Sequence, residues 1–272
     1  MTPPGLDATQ LERYSRHVIM DDVGPAGQQA LLDGSVLVVG AGGLGSPVIQ
    51  YLAGAGVGRL GIADGDTVEL SNLQRQVLHG TDDVGRPKVD SAAEAVADLN
   101  PDVTVERHPE RVTRETAADL VADYNVVVDA SDNFPTRFLL NDACVLAGVP
   151  LVHGAIYRFE GQATTVAAGG RPCYRCLFPE APPEGTVPDC AEAGVLGVLP
   201  GTIGAIQATE AVKLLLGVGE TLSGRLFVYD ARDLTAETVP IAANPDCPVC
   251  GEEPRLGDVS DGRYEGRCGI PE

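Results

Sequence analysis

The residues able to do chemistry fall into five groups along this chain. Gly40-Ala-Gly42-Gly43-Leu-Gly45 has the spacing G-x-G-x-x-G. Gly40 permits a tight turn, Gly42 lets backbone approach a phosphate, and Gly45 lets a helix pack on a strand, with Gly43 inside the same turn. Asp64 follows roughly 20 residues on, where a carboxylate meets a ribose hydroxyl. Ser71-Asn72-Leu73-Gln74-Arg75-Gln76 and Gly85-Arg86-Pro87-Lys88 add two or three cations and amides to the same cleft. A triphosphate carries about four negative charges at pH 7 and calls for Arg forks and a Lys point charge, more than a dinucleotide needs. Solvated surface cations are the alternative. Ser131-Asp132-Asn133 offers Asp132 to Mg²⁺, a hard cation that wants carboxylate oxygen, or as a helix N-cap.

The cysteines form the remaining groups. Cys173-Tyr-Arg-Cys176 and Cys247-Pro-Val-Cys250 are two Cys-x-x-Cys pairs. Together they can close a tetrahedral Zn²⁺ shell and clip two distant segments; redox dithiols or unrelated pairs are the alternatives. Four thiolates leave no open position, so no catalysis is expected at the metal. Cys190 stands apart, after prolines at 179, 182, 183 and 188. That context predicts an exposed loop and makes its thiol a candidate nucleophile, with a spare surface cysteine as the alternative. Asp189 beside it does not lower its pKa. Cys144, inside a helical pattern, reads as core filler, and Cys268 has no assignment.

The elements that must position these groups alternate strand and helix. Ser-Val-Leu-Val-Val (35–39) is a buried strand by its apolar, β-branched run, and 59–63 is a second. Between them 47–53 reads as a helix. Helices are expected over 7–20, capped by Asp7 or Thr9, over 89–99, over 113–121, over 135–147, and over 203–216 with Thr202 as cap and Gly217 as stop. Strands are expected over 103–107, 124–130, 150–154, 161–167, 225–231 and 238–242. Residues 21–34 read as a connection. The fold class is α/β: a Rossmann-like mixed sheet with a parallel, nucleotide-binding half and an antiparallel half, flanked by helices. Residues 1–251 are expected to form one domain and 252–272 a loose C-terminal tail.

Composition narrows the function. Nineteen cations against 39 carboxylates give a net charge of −20, which repels nucleic acid. Lys88 and Lys213 are the only lysines. An acidic, lysine-poor surface suits very high salt, and a halophilic source is the hypothesis; equal stability in dilute and molar KCl would remove it. No apolar run reaches 18 residues and no signal peptide is evident, so a cytoplasmic protein without membrane partners is expected. Seven cysteines in such a chain favour metal or catalysis over disulfides.

The run from Gly40 to Lys88, and above all Ser71 to Gln76, closely resembles the MoeB/ThiF group of ubiquitin-like-protein-activating enzymes, including archaeal UbaA-type members. The resemblance extends over roughly residues 10–251. It implies ATP, Mg²⁺ and a structural zinc on the four paired cysteines. It implies adenylation of the C-terminal glycine of a small β-grasp protein ending in Gly-Gly, with acyl transfer to Cys190 as a thioester or acyl disulfide. It also implies a homodimer in which Arg16 reaches the ATP of the other subunit. Arg75 and Lys88 would offset phosphate charge, Asn72 and Gln74 would orient phosphate or substrate, and Asp132 with Asn133 would contact nucleotide and metal. The product would serve sulfur transfer, for molybdopterin, thiamin or tRNA thiolation, or protein conjugation. No rhodanese-like stretch follows residue 251, so a separate sulfur-donor protein is expected. Two competitors are an NAD(P)-dependent oxidoreductase, which leaves residues 71–75 and the cysteine pairs unexplained, and a non-catalytic nucleotide-binding scaffold.

Overall fold

The computed structural model describes residues 5–180 and 194–264. Strands β1 (Ser35–Val39), β2 (Arg59–Ala63), β3 (Thr104–His108), β4 (Val126–Asp129) and β5 (Leu151–Tyr157) run parallel. Strands β6 (Glu160–Val166), β7 (Arg225–Asp230) and β8 (Thr235–Pro240) continue the sheet antiparallel. The order is β3-β2-β1-β4-β5-β6-β7-β8, the expected mixed sheet. Strand order reverses at β1, which has β2 on one side and β4 on the other; ligands of open α/β sheets bind beyond the carboxyl ends at such a point.

Alternation along β1 sends side chains to two cores. Val36 and Val38 pack with α4 (Gly45–Ala55), α5 (Lys88–Leu99) and α9 (Leu199–Leu216). Leu37 and Val39 pack on the opposite face with α6 (Ala117–Ala122) and α7 (Phe134–Ala147). Every β1 side chain is buried, which accounts for the unbroken apolar run.

Several boundaries differ from expectation. The N-terminal helix, capped by Asp7 as expected, breaks at Tyr14 into α1 (Ala8–Arg13) and α2 (Ser15–Val18). Residues 21–34 are not a mere connection: α3 (Gly24–Asp33) buries Gln28 and Leu31, with Pro25 in its first turn. The helix expected from residue 203 starts at Leu199 with Pro200 in its first turn, so Thr202 lies inside it. The last expected strand begins at Thr235 rather than 238, because its register on β7 fixes it. Residues 252–264 are not loose. Leu256 and Val259 join the α7-side core, and Tyr264 Oη donates to Asp142 at 2.9 Å. No helix among the described residues is long and apolar enough to cross a membrane.

Candidate functional site

The glycine turn joins β1 to α4. Gly40 has φ 99°, and a Cβ there would lie 2.7 Å from Ala130 O, so both conformation and space require glycine. A Cβ on Gly45 would run into Gly40 O. The N–H groups of Gly42, Gly43, Leu44 and Gly45 have no acceptor among the described residues. They are the unpaired donors of an α4 N-terminus, where the helix dipole also favours an anion. Asp64 reaches this turn: its Oδ2 accepts from Ala41 N at 2.8 Å, and its Oδ1 from Asp66 N at 2.8 Å.

Lys88 is buried on the first turn of α5. Its Nζ lies 3.2 Å from Asp66 Oδ2 and 3.8 Å from Asp64 Oδ2. A backbone ladder, with Val68 N on Arg86 O at 2.9 Å and Lys88 N on Asp66 O at 3.0 Å, folds residues 85–88 back to the end of β2. Lys88 and Asp66 thereby hold each other, and Asp66 sits below the usual carboxylate range because Lys88 and Arg111 outweigh its burial. Arg75 donates to Ser71 O at 3.2 Å, and its Cγ would lie 3.6 Å from a Cβ on Gly43. Arg86 does not join the cleft. It is tied to Asp83 at 2.8 Å and Glu94 at 2.5 Å, so two cations of this segment remain for an anion.

The amides divide. Asn72 is buried and accepts from Glu69 N at 3.1 Å, which shapes the turn at Leu70–Asn72, while the Ser71 hydroxyl donates to Glu69 at 3.2 Å. Gln74 lies against Gly197, where a Cβ would meet its Oε1 at 2.5 Å. The amide facing the glycine turn is Gln76: it is 4 % exposed, its Nε2 would lie 3.5 Å from a Cβ on Gly42, and its Oε1 lacks a partner.

Asp132 follows β4 and is exposed, bonded only weakly by Asn133 Nδ2 at 3.3 Å. The N-cap of α7 is Asn133, which accepts from Thr136 N at 2.9 Å, leaving the Asp132 carboxylate facing outward. A buried group that sequence reasoning missed sets this loop. Asp129 accepts from Ser131 N at 3.0 Å and Ser131 Oγ at 2.5 Å, and pairs with His153 Nδ1 at 2.8 Å. Burial alone would raise Asp129, but the hydrogen bonds from His153 and Ser131 and the charge of Arg137 hold it low. Burial lowers His153, which favours the neutral ring. The charged ending of the run Val-Val-Val-Asp129 was the one visible signal. Arg16, on α2, is exposed and has no ion pair among the described residues. The ring of the nearby Tyr14 lies against Gly56, at the far end of α4 from the glycine turn, about 16 Å away by helix rise.

The four paired cysteines do converge. Their sulfurs all lie within 4.8 Å of one another, with Cys173–Cys247 at 3.6 Å and Cys176–Cys250 at 3.4 Å. Tetrahedral zinc at about 2.3 Å from each sulfur separates the sulfurs by about 3.8 Å, so the donor set fits Zn²⁺. Asn244 N donates to Cys176 Sγ at 3.4 Å and Asn141 Nδ2 to Cys173 Sγ at 3.7 Å, bonds that suit thiolates. The hydrogen bond between Cys173 and Cys247 lowers the Cys247 thiol. Asn141 and Asp142, both on α7, anchor the knuckle: Asn141 Oδ1 accepts from Tyr174 N at 2.8 Å, and Asp142 takes a two-pronged Arg175 fork at 2.7 Å. Cys144 is fully buried and burial raises its thiol, as core filler should be. Cys190 lies outside the described residues.

The ThiF family profile matches residues 14–249. The chain is 65 % identical over 265 residues to the SAMP-activating enzyme E1 of Haloferax volcanii, covering 97 % of each. It is 53 % identical to the sulfur carrier protein adenylyltransferase of Thermus thermophilus, covering 96 % of this chain and 97 % of that one. Against the adenylyltransferase and sulfurtransferase MOCS3 of Sus scrofa, identity is 50 %, over 98 % of this chain and 59 % of the relative. Among solved structures, E. coli MccB bound to MccA-N7isoASN superposes with a TM-score of 0.77 at 22 % identity, over 92 % of this chain and 77 % of that one, a likeness of fold.

Proposed function

Since the chain belongs to the ThiF family, we propose that it adenylates the C-terminal glycine of a small β-grasp protein ending in Gly-Gly, as a homodimer with Mg²⁺. It is an ATP-dependent adenylyltransferase that activates a ubiquitin-like or sulfur-carrier protein for sulfur transfer. The single observation carrying the assignment of this chain's residues is the α4 N-terminus. Four unpaired N–H groups, Gly42 to Gly45, open beside Lys88 and Arg75 at the reversal of strand order.

A partner carboxylate oxygen bonds to the α-phosphorus, the bond from that phosphorus to the β-phosphate oxygen breaks, and pyrophosphate leaves. The residues supply positioning and charge neutralisation rather than covalent chemistry. The glycine turn and its N–H groups cradle phosphate, Lys88 and Arg75 offset its charge, and Asp64 has lone pairs left for a ribose hydroxyl. Asn72 Nδ2 and Gln74 orient phosphate or substrate. Asp132, with Asn133 beside it, is the carboxylate for Mg²⁺, which when bound neutralises phosphate charge. Arg16 is exposed and follows Tyr14, whose ring lies a helix length from the glycine turn, which supports Arg16 acting on the nucleotide of the partner subunit. Zn²⁺ on Cys173, Cys176, Cys247 and Cys250 is structural. Cys190 takes the acyl group in a later step, its sulfur bonding to the acyl carbon as the acyl–phosphate bond breaks and AMP leaves, and sulfur comes from a donor protein. Residues 1–251 act as one adenylation domain, with 252–272 as a C-terminal extension, in a cytoplasmic enzyme.

ATP–pyrophosphate exchange in molar KCl tests this, with and without a β-grasp protein ending in Gly-Gly, on wild type and Cys190→Ala. Exchange that requires the partner and survives Cys190→Ala is expected. A folded, zinc-loaded dimer without exchange for any such partner would overturn the reading.

A further inference from the structure

The nucleotide turn is held by a side chain that none of the roles above uses. His79 follows the 71–76 segment and is 7 % exposed. Its Nε2 lies 2.9 Å from Ala41 O, and its Nδ1 lies 2.8 Å from the hydroxyl of Ser91, a buried residue of α5. A carbonyl only accepts, so Nε2 carries the proton and Nδ1 accepts from the Ser91 hydroxyl. The tautomer is thus fixed by its two partners.

This bond controls more than one oxygen. Ala41 C=O and Gly42 N–H belong to the same planar, trans peptide, so they point in opposite directions. Holding the carbonyl against His79 turns the Gly42 N–H the other way, toward the set of unpaired donors at the start of α4. Asp64 does the same to the preceding peptide, accepting from Ala41 N and turning Gly40 O back toward Gly45. Two successive peptides of the turn are each pinned by one buried or nearly buried side chain. Gly42 needs such a pin, because glycine lets a peptide flip at little cost. A flipped Ala41–Gly42 peptide would present a carbonyl oxygen where a phosphate belongs.

Resting on the ATP reading above, we propose that His79 is a positioning residue for the nucleotide phosphates: its Nε2–H, held by Ser91, locks the Ala41–Gly42 peptide with its N–H facing the anion. Three charged groups stand around the ring: Lys88, Asp83 and Asp64. Burial lowers the ring's pKa, which suits a neutral donor–acceptor.

The test is equilibrium binding of ATP to the zinc-loaded protein, with no β-grasp partner, for wild type, His79→Leu and His79→Gln. His79→Leu keeps the volume without the donor and is expected to weaken ATP binding about tenfold, the effect of losing one buried hydrogen bond. His79→Gln returns an N–H near the Nε2 position and is expected to recover most of the affinity, while zinc content stays near wild type in both. Affinity unchanged in His79→Leu, or lost alike in both variants, would overturn the proposal. Histidine ¹⁵N NMR of the unsubstituted protein gives a second reading that needs no variant. His79 is expected as the Nε2–H tautomer at pH 7.5, and Nδ1–H would overturn the proposal. Wild type that binds no ATP would instead sink the adenylation reading itself.

Discussion

At the scale of single residues, the site depends on charges that look costly until their partners are seen. Lys88 is buried with Asp66 and Asp64 beside its ammonium group. Lys88→Met should keep the fold, because Asp66 still meets Arg111 at 3.2 Å. It should lower kcat/KM for ATP–pyrophosphate exchange about 100- to 1,000-fold, the size seen when one oriented charge-stabilising donor is lost. Exchange within threefold of wild type would exclude Lys88 from phosphate binding. Lys88 and Arg75 were legible in the sequence as residue types at a spacing. That Arg86 turns away to Asp83 and Glu94 was not, because nothing in its spacing separates it from Lys88.

At the scale of elements, β1, the glycine turn and α4 form one unit, and α7 forms another. Gly45→Ala places a methyl group against Gly40 O, so α4 must shift off β1. The expected outcome is a stability loss of ~1–3 kcal/mol in denaturant melts together with loss of ATP binding. Normal binding with lowered stability would separate the turn from the nucleotide. Helix α7 starts beside Asp132 and carries Asn141 and Asp142, which hold the cysteine knuckle. Cys173 and Cys247 are 74 positions apart, so a metal there closes a long loop. Metal removal by a chelator should therefore lower the melting temperature by many degrees and expose 173–177 and 247–251 to protease. Structural zinc contributes ~10–16 kcal/mol in small peptides, though less is expected where a large core already exists. A chelated, metal-free protein that melts like the loaded one would rule out a structural role. The element types were legible from period and cap residues. The start of α9 was not, since Pro200 reads as a breaker until it is seen in the first turn of a helix.

At the scale of the whole molecule, burial decides how stability depends on pH. His79 and His153 both have pKa values lowered by burial. Below the unfolded histidine value of about 6.5 the unfolded chain binds protons that the folded chain refuses, so stability falls as pH falls. The slope between pH 6.5 and the lowered folded values is at most about 2.7 kcal/mol per pH unit for two such groups. Asp129, held low by His153, adds a second loss below about pH 4. Melting temperature measured from pH 7.5 to 5 should fall steadily, and His153→Asn should shallow the fall. A flat profile over that range would show that neither ring stays neutral in the fold.

The sequence by itself determined the parts whose signal is local. These are the β1–glycine turn–α4 unit, the cation-bearing segment 71–88, the Asp132 loop and the two Cys-x-x-Cys pairs. Covalent spacing and hydrophobic period report on such neighbours directly. Tertiary structure alone decided which groups are buried against which. Strand pairing between β4 and β5 brings His153 beside Asp129. Helix α5 supplies Ser91 to His79, and the glycine turn receives both Asp64 and His79 from different segments. The environment that makes a carboxylate a loop anchor or a histidine a neutral pin comes from residues distant in sequence, so no local pattern encodes it.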